Sequence, residues 1–435
     1  MPVLRTSKSL SLVAIAGALA LTTACGAGSK AAGGDLKAVE CDIPPKTSAT
    51  VNVLAYNSSA TDPFTNAMVK SCSKNGVTVR HAPIDFSGQY QKTATTLAGN
   101  QGTYDIIEMY SGAVPRYAST DKLLALDSLF AKYKDEYRLG EIDETMLKGL
   151  SYDGKLYALP TQANVGVLVY RKDVFDELGL QPPKTYAELK SSAEKIKQSG
   201  QVKHPIALPF ADSTSTLFEQ TMASQGLSYV DSGTGEVTFG SPQAKKGVEA
   251  LTALKPYMDP QVLAFDQPRV QQQLFNGKAA IGIMYSGRMA DLSNPKFTTH
   301  ADKFAFASPP AVEPGGKPGS LVSVDGWSIP KNSKIDPDLL FRMMAASISP
   351  AASRQAVPAA YPARTGVVSD GTAPYTAAVR HALDNGAVTP PAETWLGNMQ
   401  NATSPLLQKA FSGKASVESV LRQCQKAGTA ALKGS

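Results

Sequence analysis

The chain has 435 residues, of which 18% are charged and 43% hydrophobic, and its formal net charge is +6. This composition provides enough apolar side chains for two domains of ordinary size and excludes a disordered or fibrous protein. There is no run rich in Lys and Arg, so the sequence gives no sign of nucleic-acid binding.

The first 24 residues have the layout of a secretory signal peptide. Arg5 and Lys8 precede an apolar stretch, Leu10 to Leu21, that is too short to cross a bilayer as a helix. The sequence TTACG that follows resembles the lipobox of bacterial lipoproteins, in which the cysteine, here Cys25, carries the lipid. We therefore expect residues 25–41 to be a lipidated, flexible tether on the outer face of the cytoplasmic membrane. An ordinary secretory signal with a chance cysteine is the alternative.

Three cysteines remain after Cys25 is set aside: Cys41, Cys72 and Cys424. In an oxidising compartment an odd number implies one disulfide with a spare thiol, or three buried thiols. Cys41 precedes the first predicted strand and Cys72 ends the first predicted helix, so a Cys41–Cys72 disulfide is expected. No Cys-X-X-Cys occurs, and redox catalysis is not indicated.

The N-terminal half alternates predicted strands and helices, which are recognised by β-branched alternation and by helical spacing of apolar residues. The segments are strand Thr50 to Tyr56, helix Pro63 to Lys74, strand Val77 to Ile84, helix Tyr90 to Ala98 and strand Asp105 to Met109. This order predicts a parallel sheet with helices on its faces. Ligands of such sheets bind beyond the carboxyl ends of the strands.

A second α/β unit is predicted after Leu159. Thr185 and Glu188 have the spacing of a capping box at the start of a helix. The other segments are strands Val165 to Tyr170, Ile206 to Leu208, Ala279 to Met284, Phe304 to Ala307 and Trp327 to Ile329, and helices Pro242 to Met258, Val270 to Asn276, Glu393 to Ser412 and Ser416 to Leu432.

Four stretches together resemble the extracellular solute-binding proteins of ABC importers, the group that includes maltose-binding protein. They are YALPTQANVGVLVYRKDVFDELGLQPPKTYAEL (Tyr157–Leu189), LFNGKAAIGIMYSG (Leu274–Gly287), DGWSIPKNSK (Asp325–Lys334) and FSGKASVESVL (Phe411–Leu421). The resemblance implies an α/β, two-lobe periplasmic-binding-protein-like fold with a ligand cleft between discontinuous lobes. Lobe one would comprise residues 42–160 and 304–366, and lobe two residues 161–303 and 367–435.

The function implied by this resemblance is capture of a carbohydrate, either a mono- or oligosaccharide or a polyol, for an ABC importer. The membrane permease and the ATPase would be separate chains, and the receptor would be a monomer without a cofactor. An anionic sugar derivative, a sugar phosphate or a peptide is the alternative ligand.

Catalytic constellations are not found in the sequence. The four histidines have no metal-ligand spacing, and no GxSxG, Walker A or GxGxxG motif occurs. Asp105 and Glu108 are a possible acid pair for glycoside hydrolysis, but a strand start and a polar strand face explain them better. We therefore expect neither catalytic nor metal-binding residues.

Candidate ligand contacts are polar and aromatic residues that follow predicted strands or lie where the chain passes between lobes. In lobe one they are Tyr56, Asn57, Ser58, Tyr110 and Ser111, with Gln89 and Tyr90 at a helix start. At the crossovers they are Gln162, Asn164, Tyr361 and Arg364, and in lobe two Phe210, Asp212, Ser213, Tyr285, Ser286, Arg288 and Trp395. For many of them, capping of a loop or helix is the alternative role.

Two candidates carry sharper hypotheses. Arg288 has the fork that matches a carboxylate or phosphate, and a salt bridge to Asp291 is its alternative role. Trp327 is expected to stack on a sugar face, with Asp325 accepting hydroxyl hydrogen bonds and Gly326 allowing close backbone approach. Packing of Trp327 in the core of lobe one is the alternative.

Overall fold

A computed structural model describes residues 36–369 and 371–434. The expected signal peptide and Cys25 lie outside the described residues. Ten strands are described: β1 (Ala49–Leu54), β2 (Val77–His81), β3 (Ile106–Tyr110), β4 (Ser151–Tyr152), β5 (Lys155–Leu156), β6 (Leu159–Arg171), β7 (Ile206–Ala207), β8 (Ile281–Tyr285), β9 (Phe304–Ala307) and β10 (Val322–Ser328).

The described α-helices surround these strands. They are α1 (Asp62–Cys72), α2 (Phe86–Ala98), α3 (Val114–Ala118), α4 (Asp127–Tyr133), α5 (Glu144–Gly149), α6 (Lys172–Glu177), α7 (Tyr186–Gln198), α8 (Phe210–Ala223), α9 (Pro242–Thr252), α10 (Gln267–Phe275), α11 (Met289–Leu292), α12 (Pro337–Ser347), α13 (Pro350–Ala356), α14 (Thr376–Asp384), α15 (Thr394–Ser412) and α16 (Val417–Lys433). In the described part of the chain, no helix combines the length and apolar character needed to cross a membrane.

The strands follow the order β2-β1-β3-β10-β6-β8-β7, and β9 also pairs with β6. Strand β1 is parallel to both β2 and β3, which confirms the predicted parallel unit. Strand β10 lies antiparallel between β3 and β6. Burial alternates along the first part of β1, whereas β3 is buried along most of its length, and residues such as Val53 and Ile107 lie in the core.

Strand β6 connects the two lobes. Its first half, from Leu159 to Val165, pairs with β10, and its second half, from Gly166 to Arg171, pairs with β8 and β9. Every residue of β6 is buried, including the polar Thr161, Gln162, Asn164 and Arg171, and the part from Val165 to Tyr170 is almost entirely apolar. One strand therefore belongs to the sheets of both lobes, and the segment predicted as Val165 to Tyr170 is longer than expected.

One expected lobe boundary is corrected. Strand β9 pairs with the lobe-two half of β6, so residues 304–307 lie in lobe two and not in lobe one. The chain returns to lobe one with β10, which pairs with β3. It then passes beside the hinge again at Tyr361–Ala363, whose backbone bonds to Ala163 and Thr161. The pairing of β9 with β6 joins segments that are far apart in the chain, so the local alternation of β9 does not indicate it.

Two local predictions are confirmed. Cys41 and Cys72 form a disulfide, with their Cα atoms 5.4 Å apart, and Cys424 is a free, buried cysteine. Thr185 caps α7 by accepting a hydrogen bond from the backbone N–H of Glu188. The Glu188 carboxylate accepts from the N–H of Lys184, one residue before the position that a strict capping box uses.

Candidate ligand-binding site

A cleft of about 1230 Å³ lies between the lobes. On the side of lobe one it is lined by residues that follow the carboxyl ends of β1, β2 and β3, which is where parallel sheets place their ligands. On the opposite side the lining comes from α8, α10, α15 and the turn after β8. Helices α3 and α15 approach each other from the two lobes.

Four aromatic rings form a shelf on lobe one: Tyr56, Phe86, Tyr90 and Tyr110. The ring centroid of Phe86 lies 5.6 Å from that of Tyr56, 5.4 Å from that of Tyr110 and 6.4 Å from that of Tyr90. Phe86 and Tyr90 are 40% and 38% exposed, and they are the exposed large hydrophobic side chains of the described residues. All four rings line the cleft, so the shelf offers it a broad apolar surface.

Hydrogen bonds between loops hold this aromatic shelf in place. The side-chain oxygen of Asn57 accepts from the N–H of Ile84, and the N–H of Asn57 donates to the carbonyl of Ile84. Asp85 caps α2 by accepting from the N–H of Gly88. The cap starts the helix at Phe86, and the spacing of four residues puts Tyr90 on the same face.

Gln89 supports the shelf from behind. Its side chain is buried, its amide nitrogen donates to the carbonyl of Glu108, and its oxygen accepts from the Tyr110 hydroxyl at 3.0 Å. The expectation of direct ligand contact for Gln89 is therefore corrected, because both ends of its amide are used to orient neighbouring groups.

A buried polar network lies at the hinge. Asp325 accepts hydrogen bonds from the amides of Asn164, at 2.6 Å, and Gln162, at 3.2 Å. The Asn164 oxygen accepts from the N–H of Gly287 in lobe two. A Cβ at position 287 would lie 2.5 Å from that oxygen, so glycine is needed there. Asn164 thus joins β10 of lobe one to the turn after β8.

Burial changes the acidity of the hinge carboxyls. Desolvation raises the pKa of Asp325 to about 7, although Gln162 and Asn164 lower it by hydrogen bonding. Burial, with repulsion from Asp325, also raises the pKa of Glu108 well above its usual value. Glu108 accepts from the Thr61 hydroxyl and from the N–H of Tyr56. Glu108 is therefore a structural acid at the base of the shelf. Asp105, the other acid of the pair considered above, accepts hydrogen bonds from the N–H of Asn52 and the hydroxyl of Ser333.

The wall of lobe two is polar. It is lined by Asp212, Ser213, Thr216, Glu219, Gln267, Arg269, Gln272, Tyr285, Arg288, Gln400 and Asn401. Asp212 accepts from the Ser213 hydroxyl and from the N–H of Gln267. Glu219 accepts from the Gln400 amide at 3.3 Å, and burial raises its pKa to about 7. Such a wall can exchange many hydrogen bonds with a hydroxylated ligand.

Several sequence candidates line the cleft. They are Tyr56, Asn57, Tyr90, Tyr110, Ser111, Asn164, Asp212, Ser213, Tyr285, Arg288 and Asp325. Their contact with a ligand remains a prediction, but the fold brings them together from both lobes, as expected.

The stacking hypothesis for Trp327 is wrong. Its side chain is 0% exposed, lies in the core of lobe one, and donates from Nε1 to the Ser347 hydroxyl at 2.9 Å. Gly326 does bring the backbone close to another group, but that group is Leu159, whose carbonyl oxygen would lie 2.7 Å from a Cβ at 326. Of this predicted trio, Asp325 alone reaches the cleft.

Arg364 also has a structural role. Its guanidinium is buried and donates to the carbonyls of Tyr137, Arg138 and Ile348. It therefore fastens the third crossover to lobe one and is not available to a ligand. Tyr361 is half-buried beside β6 and is not among the residues that line the cleft.

The remaining candidates are also displaced from the cleft. Phe210 packs against Phe411 with ring centroids 5.0 Å apart, and the Ser286 hydroxyl accepts from the N–H of Val165. Gln162 is fully buried behind Asp325, and the Ser58 hydroxyl accepts from the N–H of Thr61. The neighbours of the half-buried Trp395, Leu396 and Gly397, line the cleft in its place.

Sequence reasoning missed Phe86, Glu219 and Gln400. The signal for Phe86 was present, because Asp85 is a good helix cap and Phe86 and Tyr90 are four residues apart. Glu219 and Gln400 lie within helices. No local sequence feature there distinguishes a polar residue that faces the cleft from one that faces solvent.

Comparison with known proteins agrees with this architecture. The bacterial extracellular solute-binding protein family matches residues 57–353. The chain belongs to this family. It is a family of substrate-binding proteins and not of enzymes, and its members are extracellular.

Curated relatives are distant. A probable amino-acid ABC transporter periplasmic-binding protein from Sinorhizobium fredii is 25% identical over 302 residues, covering 65% of this chain and 64% of that protein. The diacetylchitobiose-binding protein DasA from Streptomyces coelicolor is 25% identical over 327 residues, covering 71% of each. The match to the first of these therefore spans less than two thirds of that relative's length.

Among solved structures, maltose-bound MalE3 from T. maritima has a TM-score of 0.77 at 17% identity. The match covers 87% of this chain and 99% of MalE3. At this identity the likeness shows the fold, which is the two-lobe fold expected from the sequence.

Proposed function

We propose that this protein captures a carbohydrate or polyol in the interlobe cleft and delivers it, chemically unchanged, to the permease of an ABC importer. One observation carries the choice of ligand. The aromatic shelf of Tyr56, Phe86, Tyr90 and Tyr110 faces the cleft from lobe one, and a wall of carboxyls, amides and hydroxyls faces it from lobe two.

This pairing matches the two kinds of surface on a sugar. A pyranose presents apolar C–H faces that pack on aromatic rings, and a rim of hydroxyls that donate and accept hydrogen bonds. Asp212, Glu219 and Gln400 supply acceptors and donors opposite the shelf. The names of DasA and of maltose-bound MalE3 refer to sugar ligands and support the same class.

A screen of purified protein tests the ligand class. Thermal shift would be measured with mannitol, maltose, diacetylchitobiose, single amino acids and a short peptide. A ligand at a hundred times its Kd stabilises the folded state by about 2.7 kcal/mol, so the cognate class should raise Tm. The amino acids are included because the relative from Sinorhizobium fredii is named for them.

The Phe86→Ala variant tests whether binding uses the aromatic shelf. Phe86 is exposed, so its replacement should leave the fold intact. Stabilisation by sugars that is clearly smaller in this variant supports the proposal. A response to amino acids or peptides alone would contradict it.

The location and partners belong to the same proposal. We propose that Cys25 is lipidated and anchors the protein outside the cytoplasmic membrane, and that the monomer works with a permease and an ATPase on separate chains. Cells expressing the full chain would be labelled with a radioactive fatty acid. Label should enter the protein and be lost in Cys25→Ala, and an unlabelled wild-type protein would contradict the anchor.

A further inference from the structure

Arg288 is an unsatisfied cation in the cleft. It is 9% exposed and lines the cleft, but among the described residues its guanidinium has no hydrogen bond or ion pair. The salt bridge to Asp291, which was the alternative role for Arg288, is not formed, and Asp291 instead accepts from the Ser59 hydroxyl and the Gln271 amide. The guanidinium opens onto the cleft, so its donors are available to a ligand there.

The surroundings of Arg288 are acidic. Burial raises the pKa values of Asp62, Asp212 and Asp291, and the positive charge of Arg288 partly opposes that rise, so these three carboxyls lie within its electrostatic reach. Along the described cleft lining, carboxyls outnumber guanidiniums: the acids are Asp62, Asp85, Asp212, Glu219, Asp266 and Asp325, and the cations are Arg269 and Arg288. Above about pH 7, where Asp62, Glu219 and Asp325 are mostly ionised, the described lining therefore carries a net negative charge even with both arginines charged.

Among the described residues, Glu219 has no cationic partner. It is buried, and its described side-chain partner is the neutral amide of Gln400. Burial without a nearby cation raises its pKa to about 7. A protonated amine on a ligand would supply the missing charge.

We infer that the cleft selects its carbohydrate by charge: it accepts neutral and amino-substituted sugars and rejects the corresponding sugar acids, with Arg288 binding adjacent hydroxyls and not an anion. This inference rests on the proposed carbohydrate-binding function. The guanidinium fork can donate to two neighbouring hydroxyl oxygens, whose hydrogens then point to nearby carboxylates. A ligand carboxylate would bring repulsion from the surrounding acids, and like charges brought together in a binding site are strongly unfavourable.

Matched ligands test the inference. Calorimetry on purified protein would compare glucose, glucosamine and glucuronate, and also maltose and maltobionate. The acid should bind at least about tenfold more weakly than its neutral parent, and added salt should reduce that difference because it screens charge. The amine should bind at least as well as the parent.

Two variants should shift the amine-to-neutral affinity ratio in opposite directions. Arg288→Gln removes the positive charge, so the ratio should rise, and Glu219→Gln removes the negative charge, so the ratio should fall. A ratio is insensitive to a partial loss of folded protein. The exposed residues Lys278 and Asp176 provide matched controls as Lys278→Gln and Asp176→Asn.

Each outcome is decisive. Neutral and amino sugars that bind while the acids do not, with the opposite shifts in the two variants, support charge selection. Acids that bind as tightly as their parents overturn it and leave the carbohydrate function standing. If neither these series nor the thermal-shift screen yields a carbohydrate or polyol ligand, the proposed function and the inference fall together.

Discussion

Ser59 of lobe one donates a hydrogen bond to the carboxylate of Asp291 in lobe two, and both side chains are buried. The second Asp291 oxygen accepts from Gln271 at 3.0 Å, so this carboxylate is held firmly within its own lobe. The contact links the loop after β1 directly to α11. Together with the Asn164 bridge it joins the two lobes near the hinge.

Removal of this link should let the lobes open further. Ser59→Ala is expected to increase the radius of gyration of the ligand-free protein in small-angle scattering. It should also weaken ligand binding by about tenfold, since a hydrogen bond to a charged group contributes about 1.5–3 kcal/mol. Ser199→Ala, at an exposed position in lobe two, is the control. Unchanged scattering and affinity in Ser59→Ala would show that the link does not hold the lobes together.

The aromatic shelf should matter for binding and little for stability. Phe86→Ala and Tyr90→Ala are each expected to cost about 1–3 kcal/mol of binding free energy, by analogy with other aromatic stacking. Their Tm values should stay close to that of the wild type, because the two residues are already 40% and 38% exposed in the folded protein. Calorimetry with the sugar found by the screen measures the first effect. Tyr152→Ala, elsewhere in lobe one, should bind normally, and normal binding by the Phe86 and Tyr90 variants would contradict the shelf.

Trp327 should show the opposite behaviour. Trp327→Ala is expected to lower the free energy of unfolding by about 3–5 kcal/mol, because it empties a large volume in the core of lobe one. Trp327→Phe keeps most of that volume and loses the hydrogen bond to Ser347, so it should cost less. Denaturant titration measures both values. The folded fraction of each variant should bind sugar with wild-type affinity, and a selective loss of binding would reverse the structural assignment.

Stability should fall as the pH rises from about 5 to 8. Burial raises the pKa values of Asp62, Glu219 and Asp325 to about 7, above those of the unfolded chain. The folded state therefore binds more protons than the unfolded state between about pH 5 and 8, and its stability decreases through that range as protons are lost. Glu219→Gln should flatten the dependence, measured by urea unfolding at several pH values. Asp135→Asn, at an exposed site, should leave it unchanged, and a wild-type stability that rises over this range would contradict the sign.

The disulfide should contribute substantially to stability. Cys41 and Cys72 are 31 residues apart, and a loop of that length corresponds to about 3–4 kcal/mol of lost unfolded-state entropy. Cys41→Ser with Cys72→Ser should therefore lower Tm without changing ligand affinity. Cys424→Ser is the matched control, because Cys424 is a free cysteine.

Much of the fold could be predicted because many strands and helices have local sequence patterns that identify them. The alternation around Val51 and the helical spacing after Thr185 determine their elements almost alone. Strand β9 was assigned to the wrong lobe because its partner, Leu168–Arg171, is more than a hundred residues away, and no local feature identifies it.

The site was predicted less completely, for a different reason. The rule that ligands bind beyond the carboxyl ends of strands correctly predicts that Tyr56, Tyr110 and Arg288 line the cleft. The same rule does not predict the direction in which a side chain at a strand end points. Trp327 and Arg364 therefore looked like ligand contacts, although tertiary packing directs one into the core and the other onto backbone carbonyls.

The passage of β6 through both sheets has a consequence for how the chain folds. Strand β10 lies between β3 and β6 in the sheet, but in the chain it follows all the strands of lobe two. During synthesis it therefore emerges after them. Until then the edge of β3 has no neighbour on that side and presents unpaired backbone groups. Contacts between such distant segments slow folding, so refolding in milliseconds to seconds or longer is expected, and a chain truncated before Val322 should aggregate instead of yielding an isolated lobe one.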